Sequence, residues 1–242
     1  MTQLLISVKN LDETKLALDA GIDIIDLKDP NHGALGALDL HETLQIVALV
    51  DGLSILSATV GEQHTNLYDL VQAVEVRADM GIDIVKIAVS PLFYDDNFIV
   101  EMAKLSIVGI KIVAVFFADA SLDLSLLSML KKIGFYGAML DTQSKQHDLL
   151  HVQSKKSLRS FVLQCEKIGL KSGLAGSLKS QYIELLCEVN PSYIGFRGGV
   201  CENSQRNTAL STNKVIEVKN MLCTHNKKHA KAIEISRFAL HS

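Results

Sequence analysis

The sequence predicts a single (β/α)8 barrel, a TIM barrel, on three observations. A phrase made of a helical stretch, a glycine and a short β-branched run recurs along the chain. Eight candidate strands alternate with amphipathic segments over 242 residues, the length and rhythm of a closed parallel barrel. Apolar residues make up 48% with no Trp, so the core must be aliphatic. Branched aliphatics in short runs are what buried parallel strands use. An open doubly wound sheet shares this alternation, and periodicity alone does not separate the two.

The first strand is predicted at 3–8, an apolar run with no basic leader that ends at Lys9, so it reads as structure and not as a secretion signal. The second, at 23–28, follows Asp19-Ala20-Gly21-Ile22-Asp23, and a third is expected at 54–60. The phrase returns as Asp79-Met80-Gly81-Ile82-Asp83 ahead of a fourth strand at 83–89, with a fifth at 111–117. Weaker copies, Lys132-Ile133-Gly134 and Lys167-Ile168-Gly169, precede strands at 137–141 and 170–175, and an eighth lies at 192–197. The glycine is a helix C-cap, where a positive φ is easiest without a Cβ. Amphipathic segments at 66–80 and 158–168 are typical of the intervening helices. From about Thr224 the chain is polar and basic, a last helix with a frayed tail. Without a linker or composition shift, residues 1–242 are expected to form one domain.

A formal charge of −3 leaves no basic field for nucleic acid or an anionic membrane. No run approaches the roughly 18 apolar residues of a membrane helix. Four cysteines without a C-x-x-C pair suggest reduced thiols in a cytoplasmic protein. No P-loop or G-x-G-x-x-G supports a nucleotide cofactor. His147 and His151 flank Asp148, but they lack an H-E-x-x-H motif and a third ligand, so no metal is expected either. The oligomeric state stays open, a homo-oligomer included.

Counting from the cap glycine gives a register. Lys28 and Asp141 both fall seven residues on, and Asp26 and Lys86 both fall five on. Side chains two apart share a strand face, so all four should point into the barrel near its C-terminal mouth, where barrel active sites sit. One charged strand end is readily explained as solvated. Four in matching register favour a site. Neighbouring lysines disfavour each other's charge, and a neutral amine attacks an aldehyde to give an imine, an electron sink. The second lysine and the aspartates can then move protons.

Glycine-rich turns follow strands seven and eight, with Gly176 and Ser177 in one and Arg197, Gly198 and Gly199 in the other. Late barrel loops often hold phosphate on backbone N–H groups, although turn glycines alone would read the same way. Ser177 is expected to cap the following helix or donate to phosphate, and Arg197 to point inward as a counter-charge. Glycines at 33 and 36, in the loop after Lys28, allow close approach to a ligand, and His32 there is expected to be solvated.

These phrases resemble the (5-formylfuran-3-yl)methyl phosphate synthase family of methanofuran biosynthesis. The resemblance rests on Ile24-Ile25-Asp26-Leu27-Lys28-Asp29-Pro30, Val85-Lys86-Ile87 and Ala138-Met139-Leu140-Asp141-Thr142 with Lys145. Leu174-Ala175-Gly176-Ser177-Leu178-Lys179 and Gly195-Phe196-Arg197-Gly198-Gly199-Val200-Cys201 with Arg206-Asn207 complete it, over about residues 3 to 210. It implies a lyase that joins two molecules of glyceraldehyde 3-phosphate into a phosphorylated furan aldehyde, losing one phosphate and two waters and needing no cofactor. It also implies Lys28 as the Schiff-base lysine and Lys86 as the proton acceptor, with Asp26, Asp141 and Lys145 as further charged site positions. Two rivals remain at this level: another class I lysine-dependent aldolase acting on a sugar phosphate, and a non-catalytic barrel that binds one. The segment Gly61-Glu62-Gln63-His64-Thr65 and the stretch after Lys145 depart from the family's pattern.

Overall fold

A computed structural model describes residues 1–144 and 146–239. Its strands are β1 (Gln3–Val8), β2 (Ile24–Leu27), β3 (Ile55–Thr59), β4 (Ile84–Ala88), β5 (Lys111–Phe117), β6 (Gly137–Asp141), β7 (Lys171–Leu174) and β8 (Tyr193–Phe196). They pair in parallel in chain order, and β8 closes onto β1 with Gln3 opposite Tyr193 and Leu5 opposite Gly195. Each strand end lies within one residue of its predicted position. The closed ring excludes the open sheet.

The helices are α1 (Leu11–Asp19), α2 (Leu40–Val50), α3 (Leu67–Asp79), α4 (Asp96–Ile107), α5 (Leu126–Lys132), α6 (Leu149–Val152), α7 (Lys155–Ile168), α8 (Ile183–Val189) and α9 (Thr212–Ala239). The predicted segment 158–168 starts one turn earlier, as α7, because Ser154 caps it by accepting from the Ser157 amide at 3.1 Å. The last helix begins well before Thr224, since Val215, Val218 and Leu222 bury against the body of the protein. The expected frayed tail falls partly on residues 240–242, outside the described residues.

The recurring Gly-Ile-Asp phrase has a physical reason. Gly21 and Gly81 take φ of 62° and 97°, which ends each helix without strain. Two residues on, Asp23 accepts from the Leu4 amide and Asp83 from the Leu56 amide, both at 2.8 Å. Each carboxylate thus ties the start of its strand to the strand before it.

Strand alternation sorts the core into two layers. Leu4, Ile6, Ile25, Leu27, Val85 and Ile87 face the helices, while Leu5, Ile24, Ile84, Val113, Met139 and Tyr193 fill the barrel. Gly173 leaves room for the Tyr193 ring, whose carbons would lie 2.4 Å from an added Cβ. The interior is therefore apolar below and becomes polar towards the strand C-termini. Among the described residues, no helix is long and apolar enough to cross a membrane.

Candidate active site

Four charged side chains meet at the polar end of the barrel. Lys86 Nζ lies 2.6 Å from Asp26 Oδ1, and Lys28 Nζ lies 3.4 Å from Asp141 Oδ2. All four are buried, from Asp26 at 0% exposure to Lys28 at 8%. The expected convergence of Asp26, Lys28, Lys86 and Asp141 is what the closed barrel produces. They line a cavity of about 550 Å³, within the usual range for small-molecule sites.

The two pairs are built differently. Asp26 also accepts from Ser7 Oγ at 2.8 Å and Ser57 Oγ at 2.7 Å, so both of its oxygens are held. Lys86 sits in that cage, and burial lowers its pKa below the ordinary lysine value, although Asp26 pulls it up. The charge on Lys28 lowers it further. Asp141 accepts from the Thr142 amide at 2.7 Å on one oxygen and meets Lys28 at 3.4 Å on the other, a longer contact than that of Asp26 with Lys86. Lys145, the fifth expected site residue, lies outside the described residues.

The late loops form one wall. No backbone or side-chain bond among the described residues uses the amide N–H of Gly176, Ser177, Gly198 or Gly199. An added Cβ at Gly199 would lie 2.1 Å from the Leu178 carbonyl oxygen, and one at Gly176 would lie 2.9 Å from the Thr142 amide. Glycine is needed there so that the loops can pack on one another. Ser177 does not cap the next helix. It adopts φ of 50°, and the following 3-10 turn starts after Lys179 with no side-chain cap.

Arg197 is the main correction. Its guanidinium pairs with Glu13 at 2.5 and 3.1 Å and donates to the backbone carbonyls of Ser7, Arg206 and Thr208. All five N–H groups are thereby used, and none remains for an anion. Arg197 clamps the loop after β8 to β1 in place of the expected phosphate contact. The glycine at 36 likewise serves its own loop, since an added Cβ would meet the Asp29 carbonyl oxygen at 2.3 Å. His32 is an exposed partner of Asp29 at 2.7 Å.

Sequence reasoning missed Glu13, Ser7 and Ser57. Ser57 was within reach, because it stands five residues after Gly52, the register of Asp26 and Lys86. Glu13 carried no signal, being an ordinary first-turn acid of a surface helix until Arg197 arrives from the other end of the chain.

A family model described as 4-HFC-P synthase matches residues 4–219. The chain belongs to the 4-HFC-P synthase family. A Methylorubrum extorquens protein that provisionally carries the name (5-formylfuran-3-yl)methyl phosphate synthase is 38% identical, the match covering 89% of each chain. A relative with the same enzyme name from Methanocaldococcus jannaschii is 31% identical over 91% of this chain and 99% of its own. Solved structures agree on the barrel. Phosphoribosyl anthranilate isomerase from Thermus thermophilus superposes with a TM-score of 0.66 over 92% of this chain and 99% of its own, at 11% identity. The 3-hexulose-6-phosphate synthase from Salmonella typhimurium gives 0.61 over 93% of this chain and all of its own, at 14% identity. At such identities the likeness concerns the fold alone. Membership of the 4-HFC-P synthase family rests on the sequence match.

Proposed function

We propose that the chain joins two molecules of glyceraldehyde 3-phosphate into (5-formylfuran-3-yl)methyl phosphate, and that Lys28 carries the imine. The observation that supports this is a pair of buried lysines in one cavity, each with its own carboxylate, within a family of named synthases.

The Lys28 amine adds to the aldehyde carbon and water leaves, giving the imine. The imine acidifies the neighbouring carbon, whose proton passes to Lys86 acting as a neutral amine. The electrons freed there expel phosphate from the next carbon, which makes the enzyme a phosphate-eliminating carbon–oxygen lyase. The three-carbon fragment then adds to the second triose phosphate, ring closure expels two waters to give the furan, and hydrolysis of the imine releases the aldehyde and frees Lys28. Asp26 holds Lys86 in line, Asp141 is the carboxylate partner of Lys28, and Lys145 is carried as a further charged group of the reaction. The retained phosphate sits on the free amides of Gly176, Ser177, Gly198 and Gly199.

Incubation of the purified protein with glyceraldehyde 3-phosphate alone tests this. Furan absorbance and free phosphate should grow together, and borohydride should trap an adduct on Lys28 by mass spectrometry. Lys28→Arg, which keeps the charge but forms no imine, should abolish all three. Phosphate release without a furan would instead identify an eliminating or aldol enzyme. Binding without any reaction would favour a non-catalytic barrel.

A further inference from the structure

Turnover as proposed handles two phosphate groups, and the inference that follows rests on that reading. Two arginines stand on the loop after β8, and they differ in what they have left to donate. Arg197 has every N–H placed. Arg206 lines the cavity and gives Nη2 to the carbonyl oxygens of Pro30 and Gly33, in the loop that follows Lys28. Its Nε and Nη1 have no acceptor among the described residues.

The loop that carries Arg206 is tightly held. Cys201 and Leu210 pair as an antiparallel bridge at its base, and Lys214 Nζ donates to the Cys201 carbonyl at 2.9 Å. Asn203 and Ser204 take φ of 52° and 55°, a left-handed turn that non-glycine residues adopt only where the surrounding structure holds them. Arg197 pins the far side through the carbonyls of Arg206 and Thr208 at 2.8 and 3.0 Å. The result carries the Arg206 guanidinium across the barrel mouth to the loop beyond Lys28. Desolvation there lowers its pKa, and Asp141, Glu62 and Asp29 only offset this. A partly desolvated cation with unmade hydrogen bonds is stabilised by an anion that supplies them.

We infer that Arg206 binds a second phosphate, that of the triose held on Lys28, apart from the amide site between the β7 and β8 loops. In the elimination step the carbon–oxygen bond of the phosphate ester breaks and its electron pair goes to the phosphate oxygen. A guanidinium, permanently charged and with N–H bonds on Nε and Nη1 still to donate, stabilises that oxygen without giving up a proton.

Calorimetric titration of the full chain with inorganic phosphate tests the inference without turnover. The wild type should bind two equivalents. Arg206→Gln should bind one, with the second weakened by at least about tenfold, while its circular dichroism and urea unfolding transition match the wild type. Arg206→Lys keeps the charge but loses the guanidinium that spans from the Pro30 and Gly33 carbonyls to the anion, so its second site should be of intermediate affinity. Two unchanged equivalents in folded Arg206→Gln, or a single equivalent in the wild type, would overturn the second site. Two equivalents in the wild type, one in Arg206→Gln, and no adduct from glyceraldehyde 3-phosphate in either would retain the anion site and sink the synthase reading.

Discussion

The two lysine–aspartate pairs at the barrel mouth have the same composition and opposite construction. Lys86 is almost enclosed, 2.6 Å from a carboxylate that two serines also grip. Lys28 stands nearer the opening, 3.4 Å from a carboxylate whose other oxygen is engaged by its own backbone. Tight pairing in low dielectric holds a group in place and suits an amine that exchanges protons along a fixed line. A long contact leaves an amine free to leave its partner and attack. The difference teaches that two identical residues in one cavity are set apart by their neighbours.

The largest effect that would break this comparison is a change of nucleophile. Lys86→Arg should still give a borohydride-trapped adduct on Lys28, with furan formation slowed by about 10²- to 10⁴-fold, the usual worth of a positioned acid or base. An adduct found on Lys86 in Lys28→Arg would reverse the two roles.

A second test concerns stability against pH. Burial lowers Lys86 below its ordinary 10.5, so the unfolded chain binds that proton more tightly than the folded one. The contribution of Lys86 to stability therefore rises with pH from its folded-state value up to 10.5, and is flat beyond. Urea unfolding from about pH 7 to about pH 10 should show an upward slope that Asp26→Asn/Lys86→Met lacks, with groups common to both proteins cancelling. Parallel curves would mean that Lys86 is not depressed.

The smallest expected effect sharpens the comparison. Ser57→Ala removes one hydrogen bond to the Asp26 carboxylate and should cost about 1.5–3 kcal/mol in urea unfolding. Because Ser57 lies in the tight pair, adduct formation on Lys28 should keep its rate while furan formation slows. Equal slowing of both would show the two pairs to be mechanically coupled.

Much of this site was legible before folding. The cap glycines set a count that placed Asp26, Lys28, Lys86 and Asp141 at one end of one barrel, because strand register runs rigidly from the helix terminus that precedes it. The same count, applied from Gly52, would have added Ser57. Arg206 entered only as part of a resembling phrase, since a loop arginine shows no direction until its loop is closed by Cys201 and Leu210.

The sequence by itself determined the eight strands, their alternation with helices and the shared register of the four charges, all of which depend on local periodicity and on capping within a few residues. Closure of the ring was decided by the pairing of β8 with β1. Tertiary structure alone decided which lysine pairs with which aspartate, that Arg197 spends its donors on Glu13 and that Arg206 keeps some. Those outcomes depend on distances between residues far apart in the chain, which exist only once β8 has closed onto β1.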